Sequence, residues 1–67
     1  MFIDLDELKE EIKMVKGLAK DAGPDGRGLL RNVKKAEALF DKAKLADAKG
    51  DYDKFDEYVE QIRALLQ

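Results

Sequence analysis

Two glycine-containing breaks divide the chain into three segments, and within each segment apolar residues recur at intervals of three and four. The first break covers residues 23–28, and the second is the pair Gly50 and Asp51. Such intervals keep apolar side chains on one side of an α-helix, whereas a half-buried strand would alternate polar and apolar residues. The spacing therefore predicts three amphipathic helices, whose approximate bounds are residues 5–22, 29–49 and 52–66.

Three such helices bury their apolar sides most simply by closing around one core. The short connection at Gly50 and Asp51 makes the second and third helices antiparallel neighbours. The predicted fold is all-α, a single antiparallel three-helix bundle with residues 1–67 as one domain. A chain this short is near the lower limit for one hydrophobic core, so we expect helix caps and helix propensity to decide much of its stability.

The first helix carries signals at both ends. Asp4 is its expected N-cap, and Glu7 three residues later completes a capping box. Gly23 and Pro24 end it, because glycine accepts a left-handed conformation and proline cannot continue a helix. Ile3 and Leu8 make the expected hydrophobic staple, and the core stripe, widened by Leu18, is Leu5, Leu8, Ile12, Val15, Ala19 and Ala22.

The other two helices are bounded by similar residues. Asp25 is the candidate cap of the second helix, Gly50 closes that helix, and Asp51 caps the third. Phe40 and Phe55 are expected to be the largest core side chains. The predicted core stripes are Leu29, Val33, Ala36, Phe40 and Ala43 in the second helix and Tyr52, Phe55, Val59, Ile62 and Leu66 in the third.

Five residue types are missing from the chain: Cys, His, Ser, Thr and Trp. Without Cys and His there is no thiol nucleophile, no disulfide, no usual general base and no preferred metal-ligand set. We therefore expect no catalytic site, no cofactor and no metal. The helical segments are dominated by Ala, Leu, Glu, Asp and Lys, which indicates selection for helix propensity. Computational design is the favoured origin, and a natural protein from a strongly biased proteome is the alternative.

The 13 basic and 15 acidic residues give a formal net charge of −2, and the two signs are interspersed along the chain. A duplex-binding domain has a basic face, whereas the densest basic run here is Arg31, Lys34 and Lys35. No apolar run approaches the roughly 20 residues that span a bilayer, and the first residues lack the pattern of a secretion signal. We expect no nucleic-acid partner, no membrane partner, no signal peptide or transmembrane segment, and a cytoplasmic or recombinantly expressed protein.

One glycine cluster resembles a phosphate-binding loop and one acidic cluster resembles a calcium-binding loop, but neither matches the pattern that these motifs require. The glycines of residues 23–28 are followed by Leu29 and Leu30, where a phosphate-binding loop needs Lys and then Ser or Thr. An acidic cluster around the second break comprises Asp47, Asp51, Asp53, Asp56 and Glu57. It lacks the spacing of a calcium-binding loop, and acidic residues are favoured at a helix N-terminus in any case. An interhelical loop and a stabilised helix start are the expected roles.

Among the apolar residues that fall outside the core stripes are Met14, Leu45 and Tyr58. Leu45 lies about 140° from Phe40 around the second helix, given about 100° per residue, so we expect it to be exposed. Scattered exposed apolar residues are common, but a surface that binds a partner is also built from them. Met14, Leu45 and Tyr58 are therefore the candidate protein-binding surface.

The plan of three short helices, with Lys49, Gly50 and Asp51 at the second junction, resembles the small designed three-helix proteins used as scaffolds and binders. The resemblance covers the architecture of the whole chain. It implies recognition of a protein target by a helical face, or no function beyond folding. The glycine-rich loop at residues 23–28 departs from the pattern, because it is longer than an idealised connection.

A second, local resemblance concerns residues 48–58, which are similar to the helix-turn-helix junction of tetratricopeptide repeats and of the microtubule-interacting-and-transport domain. Gly-Asp-Tyr begins the following helix in those families, as at residues 50–52 here. Phe55 departs from the small residue that they place there, and a repeat array needs about three such hairpins. The likeness implies a shared tight helical hairpin.

Three hypotheses of function follow. The favoured one is a designed or engineered helical scaffold or protein-binding module that presents a helical face to a protein partner. The alternative is a small natural helical adaptor domain, from a phage or a prokaryote, that mediates protein–protein interaction. Both allow a monomer or a small homo-oligomer, and neither includes catalysis. A third hypothesis, an enzyme that acts through paired carboxylates, ranks last because three helices this short leave no cleft for a substrate.

Overall fold

The computed structural model describes residues 5–67, which form three α-helices joined by short connections. The helices are α1 (Leu5–Asp21), α2 (Arg27–Lys49) and α3 (Tyr52–Leu66). A single 3-10 turn, Gly23–Gly26, lies between α1 and α2. The prediction of an all-α three-helix bundle is confirmed, and no helix of the described part is long and apolar enough to cross a membrane. The expected cap Asp4 and the staple residue Ile3 lie outside the described residues.

α2 is the central helix, because it makes the most extensive contacts with both of the others. All three helices contribute to the described core, and the buried side chains are Leu8, Ile12, Ala19, Val33, Ala36, Ala43, Ala46, Phe55, Val59 and Ile62. Each fully buried Leu, Ile or Val contributes about 1.5–3 kcal/mol relative to exposure. The buried side of α2 is mostly alanine, so the neighbouring helices approach it closely.

Eight residues predicted for the core lie outside the buried cluster: Leu5, Val15, Leu29, Phe40 and Leu66 are partly buried, and Leu18, Ala22 and Tyr52 are exposed. Phe40 is partly buried at the edge of the core, where the Nζ atom of Lys44 lies 5.8 Å from its ring centroid. Its ring lines a depression between α1 and α2, together with Ile12. Leu18 is 61% exposed and Ala22 is also exposed, because both lie toward the end of α1 that α3 does not cover. Tyr52, the first residue of α3, is 56% exposed.

The first connection differs from the prediction in how α2 begins. Asp25 does not cap α2; it lies within the 3-10 turn, and Gly26 occupies the cap position without a side-chain hydrogen bond. The turn leads directly into α2, which therefore starts at Arg27, two residues earlier than expected. Gly26 is buried against α1, and a Cβ atom there would overlap the carbonyl oxygen of Ala19. Gly23 follows the end of α1 with a φ of 64°, in agreement with its predicted left-handed conformation.

The second connection forms as predicted. Gly50 is left-handed, with a φ of 76°, and its N–H donates to the carbonyl of Asp47 at 3.1 Å. The N–H of Asp51 donates to the carbonyl of Ala46 at 2.9 Å, which completes a Schellman motif at the end of α2. The Asp51 side chain accepts a hydrogen bond from the backbone N–H of Lys54 at 3.3 Å, so it caps α3. One glycine and one aspartate thus reverse the chain.

Candidate functional site

A long open groove runs between α2 and α3. Two adjoining depressions form it, and they share Lys42 on α2. We call this surface the α2–α3 groove. The residues that line it are Lys35, Ala38, Leu39, Lys42, Leu45, Ala46, Lys49, Asp51, Lys54, Tyr58, Gln61, Ala64 and Leu65.

The floor of the α2–α3 groove is apolar and continuous with the core. Leu39, Tyr58 and Leu65 are partly buried, and each packs against the buried cluster with one side of its side chain. Leu45 lies at the edge of the groove and is 61% exposed. The groove is therefore an apolar surface that the three helices of the chain leave open to solvent.

The rim of the groove is basic. Lys35, Lys42 and Lys49 are all exposed and follow one another at seven-residue intervals along α2, which places them about 10.5 Å apart. Lys54 contributes a fourth ammonium group from α3. Asp51 is the one acidic residue among those that line the groove. An occupant of this groove meets an apolar floor flanked by positive charge.

The structure brings two of the three predicted surface residues together. Leu45 and Tyr58 both line the α2–α3 groove, in the depression that contains Lys49 and Lys54. Met14 lies elsewhere, on α1, and is 69% exposed. The three residues share their departure from the core stripes, but they do not form one continuous surface.

Met14 and Leu18 form a second exposed apolar surface, which we call the α1 ridge. The two residues are four positions apart, so their side chains lie on the same side of the helix. Met14 and Val15 line a shallow depression together with Leu66, the last residue of α3. Because α3 ends beside Met14, no described residue covers Leu18 one turn further along α1.

The charges of α1 are divided between two sides of the helix. Successive residues are rotated by about 100°, which places four acidic residues on the side of the ridge: Glu7, Glu10, Glu11 and Asp21. The same rotation places the lysines of α1 on the opposite side, toward α2: Lys9, Lys13, Lys16 and Lys20. The Nζ atom of Lys16 lies 3.5 Å from Glu37 Oε1 on α2, in agreement with this placement. The α1 ridge thus has an acidic border on α1 itself, while Arg63 of α3 lies beside Met14 in the adjoining depression.

Charges that are interspersed along the chain are separated on its surface. α2 carries seven of the 13 basic residues and three of the 15 acidic ones. α3 carries four acidic and two basic residues. The basic rim was not among the predicted surfaces, although Lys35, Lys42 and Lys49 follow one another at seven-residue intervals in the sequence. The spacing predicts a basic rim only when the position of α3 beside these lysines is known.

The groove and the ridge present apolar side chains and charged groups to solvent. No group of three or more acidic side chains within residues 5–67 is placed to share a metal ion. The buried residues of this part of the chain are apolar or glycine, and the titratable groups lie toward solvent. Apolar contact and charge attraction at the groove and the ridge are therefore the interactions available.

Comparison with protein-family models, with curated proteins and with solved structures finds no match for the chain.

Proposed function

We propose that this chain is a non-catalytic protein-binding module whose α2–α3 groove holds an amphipathic helix of a partner protein. The observation that carries the proposal is an apolar floor and a lysine rim in one continuous groove. Helices bind in such grooves by inserting apolar residues at positions i, i+3 or i+4 and i+7. The lysine rim favours a partner helix whose apolar side is bordered by Asp or Glu.

The length of the groove matches a helix of about four turns. Lys35 and Lys49 are 14 residues apart, which corresponds to about 21 Å along α2. Each exposed ion pair contributes only about 0–1 kcal/mol, so the affinity comes mainly from covering Leu39, Leu45 and Leu65. The lysines then determine which partner is accepted and how fast it associates.

The residue types of the chain support binding rather than catalysis. It contains no Ser, Thr, Cys or His, and these types supply most nucleophiles and general bases. Among the carboxylates of residues 5–67, only Asp51 lines the groove, and this side chain already caps α3. The side chains of the groove therefore act by contact and charge.

A designed or engineered origin is supported by the narrow set of residue types, which favours helix formation throughout. In that case the chain is either a binder or a bare scaffold whose groove has no partner. A small natural adaptor domain from a phage or a prokaryote is the alternative, and it would use the same groove. A peptide-binding measurement distinguishes a binder from a bare scaffold.

The test uses two synthetic peptides of about four helical turns, with identical leucine ridges and either Glu or Lys on both flanks. Binding of each fluorescently labelled peptide to the folded protein is followed by anisotropy. We expect the Glu-flanked peptide to bind and the Lys-flanked peptide to fail. The affinity for the Glu-flanked peptide should fall when salt is added, because the lysine rim is exposed and screened.

Leu45→Gln is the variant of choice, because it removes an apolar contact from the groove without changing charge. Tyr52→Gln is its control, since Tyr52 is exposed but does not line the groove. A short DNA duplex tests whether any polyanion suffices. The proposal fails if neither peptide binds, which indicates a bare scaffold, or if the duplex binds equally well and Leu45→Gln changes nothing, which indicates a nucleic-acid surface.

A further inference from the structure

We infer that the α2–α3 groove of one copy of this chain holds the α1 ridge of a second copy, so that copies associate head to tail. The inference rests on the proposed function, since it names a partner for the same groove. It depends on two surfaces of the molecule, the α2–α3 groove and the α1 ridge. The groove is an uncovered apolar surface with a basic rim, and the ridge is an uncovered apolar surface with an acidic border.

The apolar parts of the two surfaces are both open to solvent. The ridge presents Met14 and Leu18, which are 69% and 61% exposed on one side of α1, and Met14 also borders the depression beside the end of α3. The groove is concave, with Leu45 at its edge and Leu39 in its floor. Contact between them would remove exposed large apolar side chains of both surfaces from water, which is the main favourable contribution to protein association.

The charges of the two surfaces match in sign and in spacing. Glu7 and Asp21 are 14 residues apart on α1 and lie on the same side of the helix as Met14, which is midway between them. Lys35 and Lys49 are also 14 residues apart, on α2. Each pair therefore spans about 21 Å, so both acidic groups of the ridge can face a lysine of the rim at the same time.

We take the contact to be heterologous, with the groove of one copy holding the ridge of the next while its own ridge stays free. A pair of copies joined in this way leaves one groove and one ridge free, and each can accept a further copy. Association is therefore open-ended and increases with concentration, in contrast to a symmetric dimer that is closed at two copies. Its strength depends on salt, because the charges are exposed and the screening length is only about 8 Å at physiological ionic strength.

Analytical ultracentrifugation of the full chain tests the inference without any other partner. At low salt we expect the average mass to rise above the monomer mass of 7.6 kDa as the protein concentration increases, and to fall again when salt is added. Leu45→Gln in the groove and Leu18→Gln in the ridge should each weaken association at least about tenfold. Tyr52→Gln, which alters an exposed residue on neither surface, should associate like the unchanged protein.

A mixture of the two variants gives the decisive result. The Leu45→Gln protein keeps an intact ridge and the Leu18→Gln protein keeps an intact groove, so an equal mixture should form a dimer and no larger species. Circular dichroism of each variant checks that it remains helical. A mass of 7.6 kDa at all concentrations in low salt would overturn the inference, as would a mixture no heavier than its separate components.

Different experimental results would contradict the proposed function and the head-to-tail association. A monomeric protein that still binds the Glu-flanked peptide keeps its groove but has another partner. A protein that associates equally well after Leu45→Gln uses a different contact, and the head-to-tail arrangement is then wrong. Association that is abolished by Leu45→Gln and restored in the mixture supports the groove and the ridge together.

Discussion

Gly26 and Gly17 differ in what an added methyl group would meet. A Cβ atom at Gly26 would overlap the backbone carbonyl of Ala19, whereas Gly17, within α1, has no atom within 4 Å of that position. We expect Gly26→Ala to lower the free energy of unfolding by about 1–3 kcal/mol, because the turn must move away from α1. Gly17→Ala should raise it by about 0.5–1 kcal/mol, since alanine has the higher helix propensity. Guanidinium unfolding followed by circular dichroism measures both, and equal effects at the two positions would contradict the close contact.

Phe55 and Phe40 should differ in their contribution to stability. Phe55 is 7% exposed within the core, so Phe55→Ala should cost about 3–5 kcal/mol. Phe40 is only partly buried, and Phe40→Ala should cost roughly 1–2 kcal/mol, because part of its ring is already in water. Chemical unfolding of the two variants, with Tyr52→Ala as an exposed aromatic control, provides the comparison. A cost above 3 kcal/mol for both would mean that Phe40 belongs to the core.

The errors at Leu18 and Phe40 have a common physical origin. Intervals of three and four residues identify the side of a helix that is buried, but they do not determine how wide or how long the buried surface is. Its length depends on where the neighbouring helix ends, and α3 ends beside Met14. Its width depends on how closely the helices approach, which the alanines of α2 determine. Both are properties of the packed molecule.

At the scale of helices, the ends that depend on local residues were predictable. Gly50 and Asp51 act through hydrogen bonds to backbone atoms within five residues, so the sequence around them contains the necessary information. The start of α2 was not predictable in this way. The contact of Gly26 with Ala19 constrains the turn, and that contact joins residues that are close only after α1 has packed.

The cap at Asp51 leads to a prediction for α3. Asp51→Ala should lower the free energy of unfolding by about 1 kcal/mol, because the backbone N–H of Lys54 loses its acceptor. Asp51→Asn should be close to the unchanged protein, since an asparagine side chain caps equally well. Thermal unfolding of the two variants measures the difference. Equal losses in both would show that the negative charge, rather than the hydrogen bond, stabilises α3.

At the scale of the whole molecule, the bundle was predictable because three apolar stripes and two short connections allow few other arrangements. The candidate site was predictable only in part. Leu45 and Tyr58 were identified because they depart from the core stripes, and they do line the α2–α3 groove. The basic rim was missed and only Met14 of the α1 ridge was identified, because both surfaces depend on which side of a helix another helix covers.

The division of charge between α2 and the other two helices gives the molecule an electric dipole across its width. The formal net charge of −2 does not reveal this dipole, because the two signs nearly cancel in the total. In an external field or near a charged surface the molecule is therefore oriented. An anionic surface attracts the lysine side of α2, and a cationic surface attracts the carboxylates of α1 and α3. The charge of the side that faces a surface, and not only the formal net charge of the molecule, therefore affects how strongly this protein adsorbs.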